Sequence, residues 1–187
     1  DEIKNKIISG LADSSTKLDN VITDLNHVLQ IRRDLNENKI TVNLSNLLND
    51  ILMSISSMIE KEKAEIKFDF IETDELITIR SYLYSIFYNL ITNSIKYRQP
   101  TVNPVIKVRS CKHENKIAIL FNDNGMGIDL STNRDQVFGL YKRFHTHIEG
   151  KGMGLFMTKT QVEALGGRIN INSEVNEGTT FKIEFDI

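Results

Sequence analysis

The 187 residues are 40% hydrophobic and 26% charged with a net charge of −2. That balance excludes a disordered chain and leaves no positive field to recruit nucleic acid or acidic membrane. A single cysteine, Cys111, excludes an internal disulfide and a cysteine-built zinc site and fits a reducing compartment. No stretch approaches about 18 continuous apolar residues and no signal-peptide pattern opens the chain, so a cytoplasmic segment without membrane insertion is expected.

Residues 1–37 read as one long helix followed by a polar break. Leu11, Leu18 and Leu25 recur every seven positions with Ile7, Ile8, Val21, Ile22, Val28 and Leu29 between them, a heptad stripe that Ser14 and Ser15 interrupt. One such helix cannot bury its stripe alone. It needs a partner helix, most simply from a second copy of the chain, or it folds back onto the following domain.

From residue 38 the pattern changes to short strands and amphipathic helices. A strand is expected at 40–42, a helix from Leu44 to about Lys61, and strands at 65–70 and 77–79. A second helix at 81–97 precedes the break marked by Pro100 and Pro104, and two strands follow near 105–111 and 116–122. A glycine-rich irregular stretch runs to Gly152. A third helix at 153–165 and closing strands at 168–173 and 179–185, joined across a turn at Asn176–Gly178, complete the order. Helices interspersed with strands and late hairpins imply an α/β two-layer sandwich, a mixed sheet with helices on one face.

Four clusters carry chemistry. On the helix at 81–97, Asn89 and Asn93 share a face, with Lys96 and Tyr97 one turn further on. Asparagine is a poor mid-helix residue because its amide competes for backbone hydrogen bonds. An amide oxygen suits Mg²⁺, and a nearby lysine suits phosphate; the same stripe also reads as a solvated polar face. Asp123, Asn124, Gly125, Met126 and Gly127 follow a strand directly. A carboxylate there can accept from an exocyclic amine, or the stretch is an Asn-Gly turn. Gly150, Lys151, Gly152, Met153 and Gly154 open the third helix, where backbone amides and the positive dipole end favour phosphate. Their spacing fits neither a P-loop nor a dinucleotide fingerprint. Between these, Phe138, Tyr141 and Phe144 can form the apolar foot of a lid, with Lys142 and Arg143 free for phosphate, or a short core helix.

In this order and spacing the clusters resemble the ATP-binding catalytic domain of sensor histidine kinases of two-component systems. Tyr88–Tyr97 resembles the family's asparagine box, Asp123–Gly127 its first glycine box, Phe138–Phe144 its phenylalanine box and Gly150–Gly154 its second glycine box. Glu177–Phe181 resembles the closing Gly-Thr element. The resemblance covers residues 38–187 and implies a Bergerat-type mixed sheet. It also implies that residues 1–37 are the second helix of a dimerisation and phosphotransfer hairpin.

The resemblance assigns roles as well. Asn93 would hold Mg²⁺ on the ATP phosphates, with Asn89 beside it and Lys96 on phosphate. Asp123 would bond the adenine amine, helped through water by Thr179, while Gly125 and Gly127 shape the base pocket and Tyr97 and Ile128 also bind the nucleotide. Arg143, Lys151 and the amides around Gly152 and Gly154 would meet the phosphates when the lid, about 126–151, closes, and Phe138, Tyr141, Phe144, Gly150, Met153 and Leu155 would also bind the nucleotide. Asn89, Lys96 and Arg143 would serve the transfer itself. ATP or ADP, a second copy of the chain and a response-regulator receiver domain are the implied partners.

Two departures from the family pattern matter. No histidine is followed by the acidic residue and proline of the family's acceptor, so the acceptor is expected upstream of Asp1. His27 reads as an exposed helix residue, His113 sits at a strand turn, and His145 and His147 lack a third metal ligand. Ser85 stands where related ATPases carry the glutamate that activates water, which argues against a topoisomerase, mismatch-repair or chaperone ATPase. A nucleotide-binding interaction module without transfer activity remains the alternative from another class.

Overall fold

The computed structural model describes residues 38–145, 148 and 150–186, and before them Lys4, Lys6, Ile7, Ser15, Ile22 and Asn26, which are helical. The heptad stripe, His27 and His147 otherwise lie outside the described residues. The chain divides into two units, residues 1–36 and 37–187.

The second unit starts with β1 (Ile40–Asn43) and α1 (Leu44–Ser54), followed by α2 (Ser56–Glu62), β2 (Glu65–Asp69) and β3 (Glu75–Thr78). Next come α3 (Arg80–Lys96), β4 (Val105–His113), β5 (Lys116–Asp123) and the short α4 (Leu130–Asn133) with a 3₁₀ turn at Arg134–Gln136. Helix α5 (Gly154–Ala164), β6 (Arg168–Glu174) and β7 (Gly178–Asp186) finish the domain. Strands β1 and β3 pair antiparallel, and the main sheet runs β2-β4-β5-β7-β6, with β2 and β4 parallel and the other pairs antiparallel. One face is apolar and covered by the helices, which makes this the expected two-layer α/β sandwich.

Alternation fixes which face is covered. Ile106 and Val108 on β4, Ile117, Ile119 and Phe121 on β5, and Phe181, Ile183 and Phe185 on β7 point inward and are buried. Helix α3 lays Leu83, Ile86, Phe87, Leu90 and Ile91 against them, all fully buried. Phe87 meets Phe121 edge to face, with ring centroids 4.8 Å apart. This contact fixes the height of α3 over β5, and so the height of the asparagine stripe over the end of that strand.

Three boundaries differ from the sequence expectation. The helix expected at 44–61 breaks at Ile55, where φ is −112° and ψ 16°. The Ser54 hydroxyl donates to the Ile51 carbonyl at 2.7 Å, the local side-chain bond that bends helices. Strand β3 occupies Glu75–Thr78 rather than 77–79, because Ile79 is already the N-cap of α3. The stretch expected to be irregular up to Gly152 contains α4 and the 3₁₀ turn, nucleated by Asp129, whose carboxylate accepts from the Ser131 amide at 2.9 Å.

Candidate functional site

The ends of β5 and β7, the polar face of α3 and the start of α5 surround a cavity of about 260 Å³. That is just below the range that encloses a drug-sized ligand, so a larger ligand leaves part of itself at the mouth.

At one end Asp123 closes β5, directly across from Thr179 in the β5–β7 register. Its Oδ1 accepts from the Gly125 amide at 2.8 Å and the Thr179 amide at 3.2 Å, and its Oδ2 from the Ser94 hydroxyl at 2.9 Å. Burial pushes the Asp123 carboxyl above its ordinary value of 3.8, and the bonds from Gly125, Ser94 and Thr179 partly offset that rise. A carboxylate with only 8% exposure is costly to keep, and these three donors only partly offset that cost. Here it faces the cavity.

The turn after Asp123 is tied down from several sides. The Met126 amide donates to the Tyr97 carbonyl at 2.9 Å, and Gln99 Nε2 reaches the carbonyls of Asn124 and Asn176, both at 2.9 Å. Gly127 has φ +66°, and a Cβ there would collide with the Glu174 carbonyl oxygen. Only glycine fits this close approach. The Ile128 amide donates to Ser173 Oγ at 2.8 Å, and the same hydroxyl lies 2.8 Å from Thr179 Oγ1. The Asp123 end of the cavity is thus a rigid wall.

Ser94 and Asn89 are five residues apart on α3, about 7.5 Å along the axis. Asn89 Nδ2 donates to Thr158 Oγ1 at 2.6 Å, and Asn93 Nδ2 donates to Asn89 Oδ1 at 3.2 Å. Gly154 lies so close to Asn89 Oδ1 that a Cβ would overlap it. Helix α5 begins at Gly154 with no side-chain cap, so its first amides remain available to an anion. Lys96 Nζ lies beside Gly150 and 5.3 Å from the centre of the Tyr97 ring. Burial raises the Tyr97 phenol above its usual 10.0, with the Arg143 charge acting in the opposite direction.

Of the expected residues, Asn89, Asn93, Lys96, Tyr97, Asp123, Gly127, Ile128, Arg143, Phe144, Gly150, Lys151, Gly152, Met153, Gly154, Leu155 and Thr179 line the cavity. Three do not. Gly125 acts one layer back, through its amide on Asp123. Phe138 packs edge-on against Phe181 at 6.4 Å, with Lys159 Nζ 5.7 Å from its ring centre, so it is the foot of the lid rather than its inner wall. Tyr141, expected to bind the nucleotide, adopts φ +59° at a turn and is 41% exposed outside the cavity. Lys142 lines the cavity, as its expected role on phosphate requires.

Ser94, Val137, His145 and Phe181 also line it, and the sequence reading gave none of them a role in the site. A lone serine in the apolar stripe of α3 is a legible signal for Ser94. His145 had none. Its Nε2 lies 2.8 Å from the Gly127 carbonyl and its ring centre 5.6 Å from that of Tyr97, contacts between residues far apart in the chain.

Residues 78–187 match the family of histidine kinase-, DNA gyrase B- and HSP90-like ATPases. The sensor protein RprX of Bacteroides fragilis is 29% identical over 142 residues, 73% of this chain and 27% of that protein. The phytochrome-like protein Cph1 of Synechocystis sp. is 27% identical over 183 residues, 96% of this chain and 23% of that protein. The chain thus spans about a quarter of the length of either relative. The catalytic domain of the histidine kinase ThkA has the same fold, with TM-score 0.68 at 22% identity over 79% of this chain and 95% of that one. Acinetobacter baumannii AdeS, a histidine kinase, gives 0.72 at 17% identity over 96% and 83%. The chain belongs to the family of histidine kinase-, DNA gyrase B- and HSP90-like ATPases, and is similar to sensor histidine kinases in their ATP-binding region.

Proposed function

We propose that this domain positions Mg-ATP for transfer of its γ-phosphoryl group to a histidine on a dimerisation hairpin, for relay to a response-regulator aspartate. The observation that carries the reading is the polarity of the cavity. A buried carboxylate lies at one end, while an amide oxygen, four cations (Lys96, Lys142, Arg143 and Lys151) and an uncapped helix start lie toward the other. A ligand with an exocyclic amine and a polyanionic tail matches both ends. Asp123 accepts the adenine amine, Thr179 supports it through water, and Lys96, Arg143, Lys151 and the α5 amides hold phosphate.

The asparagine pair fits a hard cation. Asn93 spends its amide nitrogen on Asn89, and its Oδ1 is left for a ligand. Mg²⁺ held there would neutralise phosphate charge. In the transfer, an imidazole nitrogen bonds to the γ-phosphorus as the bridging P–O bond to ADP breaks. The domain contributes position and charge rather than a base. Ser85 Oγ accepts from Gln161 Nε2 at 3.0 Å in place of a water-activating carboxylate, so hydrolysis by the domain alone is slow.

Residues 1–37 supply the second hairpin helix and the dimer contact, and the module works in the cytoplasm. Incubation with γ-labelled ATP and a separate hairpin carrying a histidine tests this directly. The hairpin is expected to gain acid-labile label, the chain alone to gain none, and Asn93→Ala to abolish transfer. Label on His27 contradicts the assignment of the acceptor. A hairpin left unlabelled despite ATP binding favours an interaction module instead.

A further inference from the structure

The Asn89–Asn93 pair is polarised by a residue outside the cavity wall. Thr158 is fully buried on α5, and its hydroxyl donates to the Gly154 carbonyl at 3.0 Å. A carbonyl only accepts, so this bond consumes the hydroxyl proton and leaves Thr158 Oγ1 as an acceptor. It accepts from Asn89 Nδ2 at 2.6 Å. The Asn89 carboxamide is thereby oriented with Oδ1 toward Asn93, which donates its own Nδ2 at 3.2 Å. The direction of each bond dictates the next, and the series ends on Asn93 Oδ1.

We infer that Thr158 is a positioning residue for cation binding, setting the amide orientation of Asn93 through Asn89; the inference rests on the Mg-ATP reading of this cavity. With the opposite polarity, Thr158 would donate to Asn89 Oδ1, Asn89 Nδ2 would donate to Asn93, and the Asn93 NH₂ would point at the cation. A valine has the shape of threonine but loses both bonds. It removes the acceptor that fixes the Asn89 carboxamide, so the orientation that presents the wrong group at Asn93 becomes populated. Serine keeps the hydroxyl and the polarity.

A purely structural role for Thr158 would lower nucleotide affinity alike with and without metal. The positioning role affects the metal-dependent part alone. ADP binding is therefore measured by calorimetry in Mg²⁺ and in EDTA for the parent, Thr158→Val, Thr158→Ser and Asn93→Ala. Thr158→Val is expected to lose about tenfold of the Mg²⁺ enhancement, the scale of one oriented hydrogen bond, with the EDTA affinity unchanged. Thr158→Ser is expected to retain the enhancement.

Full enhancement in Thr158→Val with loss in Asn93→Ala would overturn the role of Thr158 and leave the site reading intact. Equal losses in both buffers would overturn it too. Absence of any Mg²⁺ enhancement in the parent would overturn both. Should the valine variant fail to fold, the parent decides by NMR. An Asn89 side-chain amide proton in contact with the Thr158 methyl supports the inference, and contact with Asn93 instead contradicts it.

Discussion

At the base end of the cavity, Asp123 is held by donors from α3, from the turn after β5 and from β7, and every bond comes from a backbone amide or a short side chain. At the lid, Lys142, Arg143 and Lys151 are exposed and stand on long flexible side chains in loops. Arg143 Nη2 donates to the Ile148 carbonyl at 2.7 Å within the lid itself. The first region is prebuilt and the second adjustable. A flat aromatic base is recognised by fixed hydrogen-bond geometry, so ordering in advance lowers the cost of binding. On the proposed function, a triphosphate presented to a second, histidine-bearing element is better held by charges that can follow it.

The sharpest way to break the comparison is to damage the prebuilt wall. Gly127→Ala places a methyl group into the Glu174 carbonyl and forces a left-handed residue, which costs on the order of 1–2 kcal/mol from backbone strain alone. ADP affinity is expected to fall by at least about tenfold, with a lowered melting temperature. Calorimetry showing parent-like binding would remove the claim of a close-fitting wall.

The lid should respond to ligand where the wall does not. Amides from 130 to 145 are expected to exchange quickly in the apo protein and to gain protection with ATP, while those of β5 and β7 stay slow throughout. Hydrogen exchange that is slow across the lid without nucleotide, and unchanged by it, would make the two regions equivalent.

A smaller effect tests the scaffold beneath both. Asp74 is subject to desolvation, which raises its carboxyl pKa. The bonds from the Ser45 hydroxyl, the Ser45 amide and Asn43 outweigh this and hold it below 3.8. A lowered folded value adds stability that is present above about pH 3.8 and lost as pH falls through that lower value. Asp74→Asn is therefore expected to melt below the parent at pH 7 and to converge with it in strong acid. A gap that is constant with pH would rule out the linkage.

The sequence made the framework legible wherever periodicity and turn chemistry agreed. The inward alternation of β5, the apolar stripe of α3 and the glycine-flanked boxes all reappear at the expected places, and the polar stripe of Asn89 and Asn93 does face the cavity. The misses have local physical causes. Nothing in the 44–61 periodicity marks Ile55 as a break, because Ser54 bends the helix without disturbing the burial of Ile51 or Ile55. Tyr141 shares its spacing with Phe138 and Phe144, but a positive φ turns it outward. His145 and Thr158 act through partners 18 and 69 residues away, a separation no local pattern encodes.

The central claim is that Asp123 is kept in the wall to read an adenine amine, at a cost to stability. Its carboxyl is raised, so its contribution to stability is greatest below pH 3.8 and is lost as pH rises through the folded value; at pH 7 the ionised form is a burden. Asparagine fits the same contacts, because its oxygen can accept from Gly125 and Thr179 and its NH₂ can donate to Ser94 Oγ. It turns a donor toward the base. The decisive measurement is calorimetric titration of ADP and GDP into the parent and Asp123→Asn at pH 7, with melting temperatures alongside. The parent is expected to favour ADP, and the variant to lose that preference and about 1–3 kcal/mol of ADP binding while melting no lower than the parent. Equal ADP affinity in the two proteins, or a parent indifferent between ADP and GDP, would contradict the account.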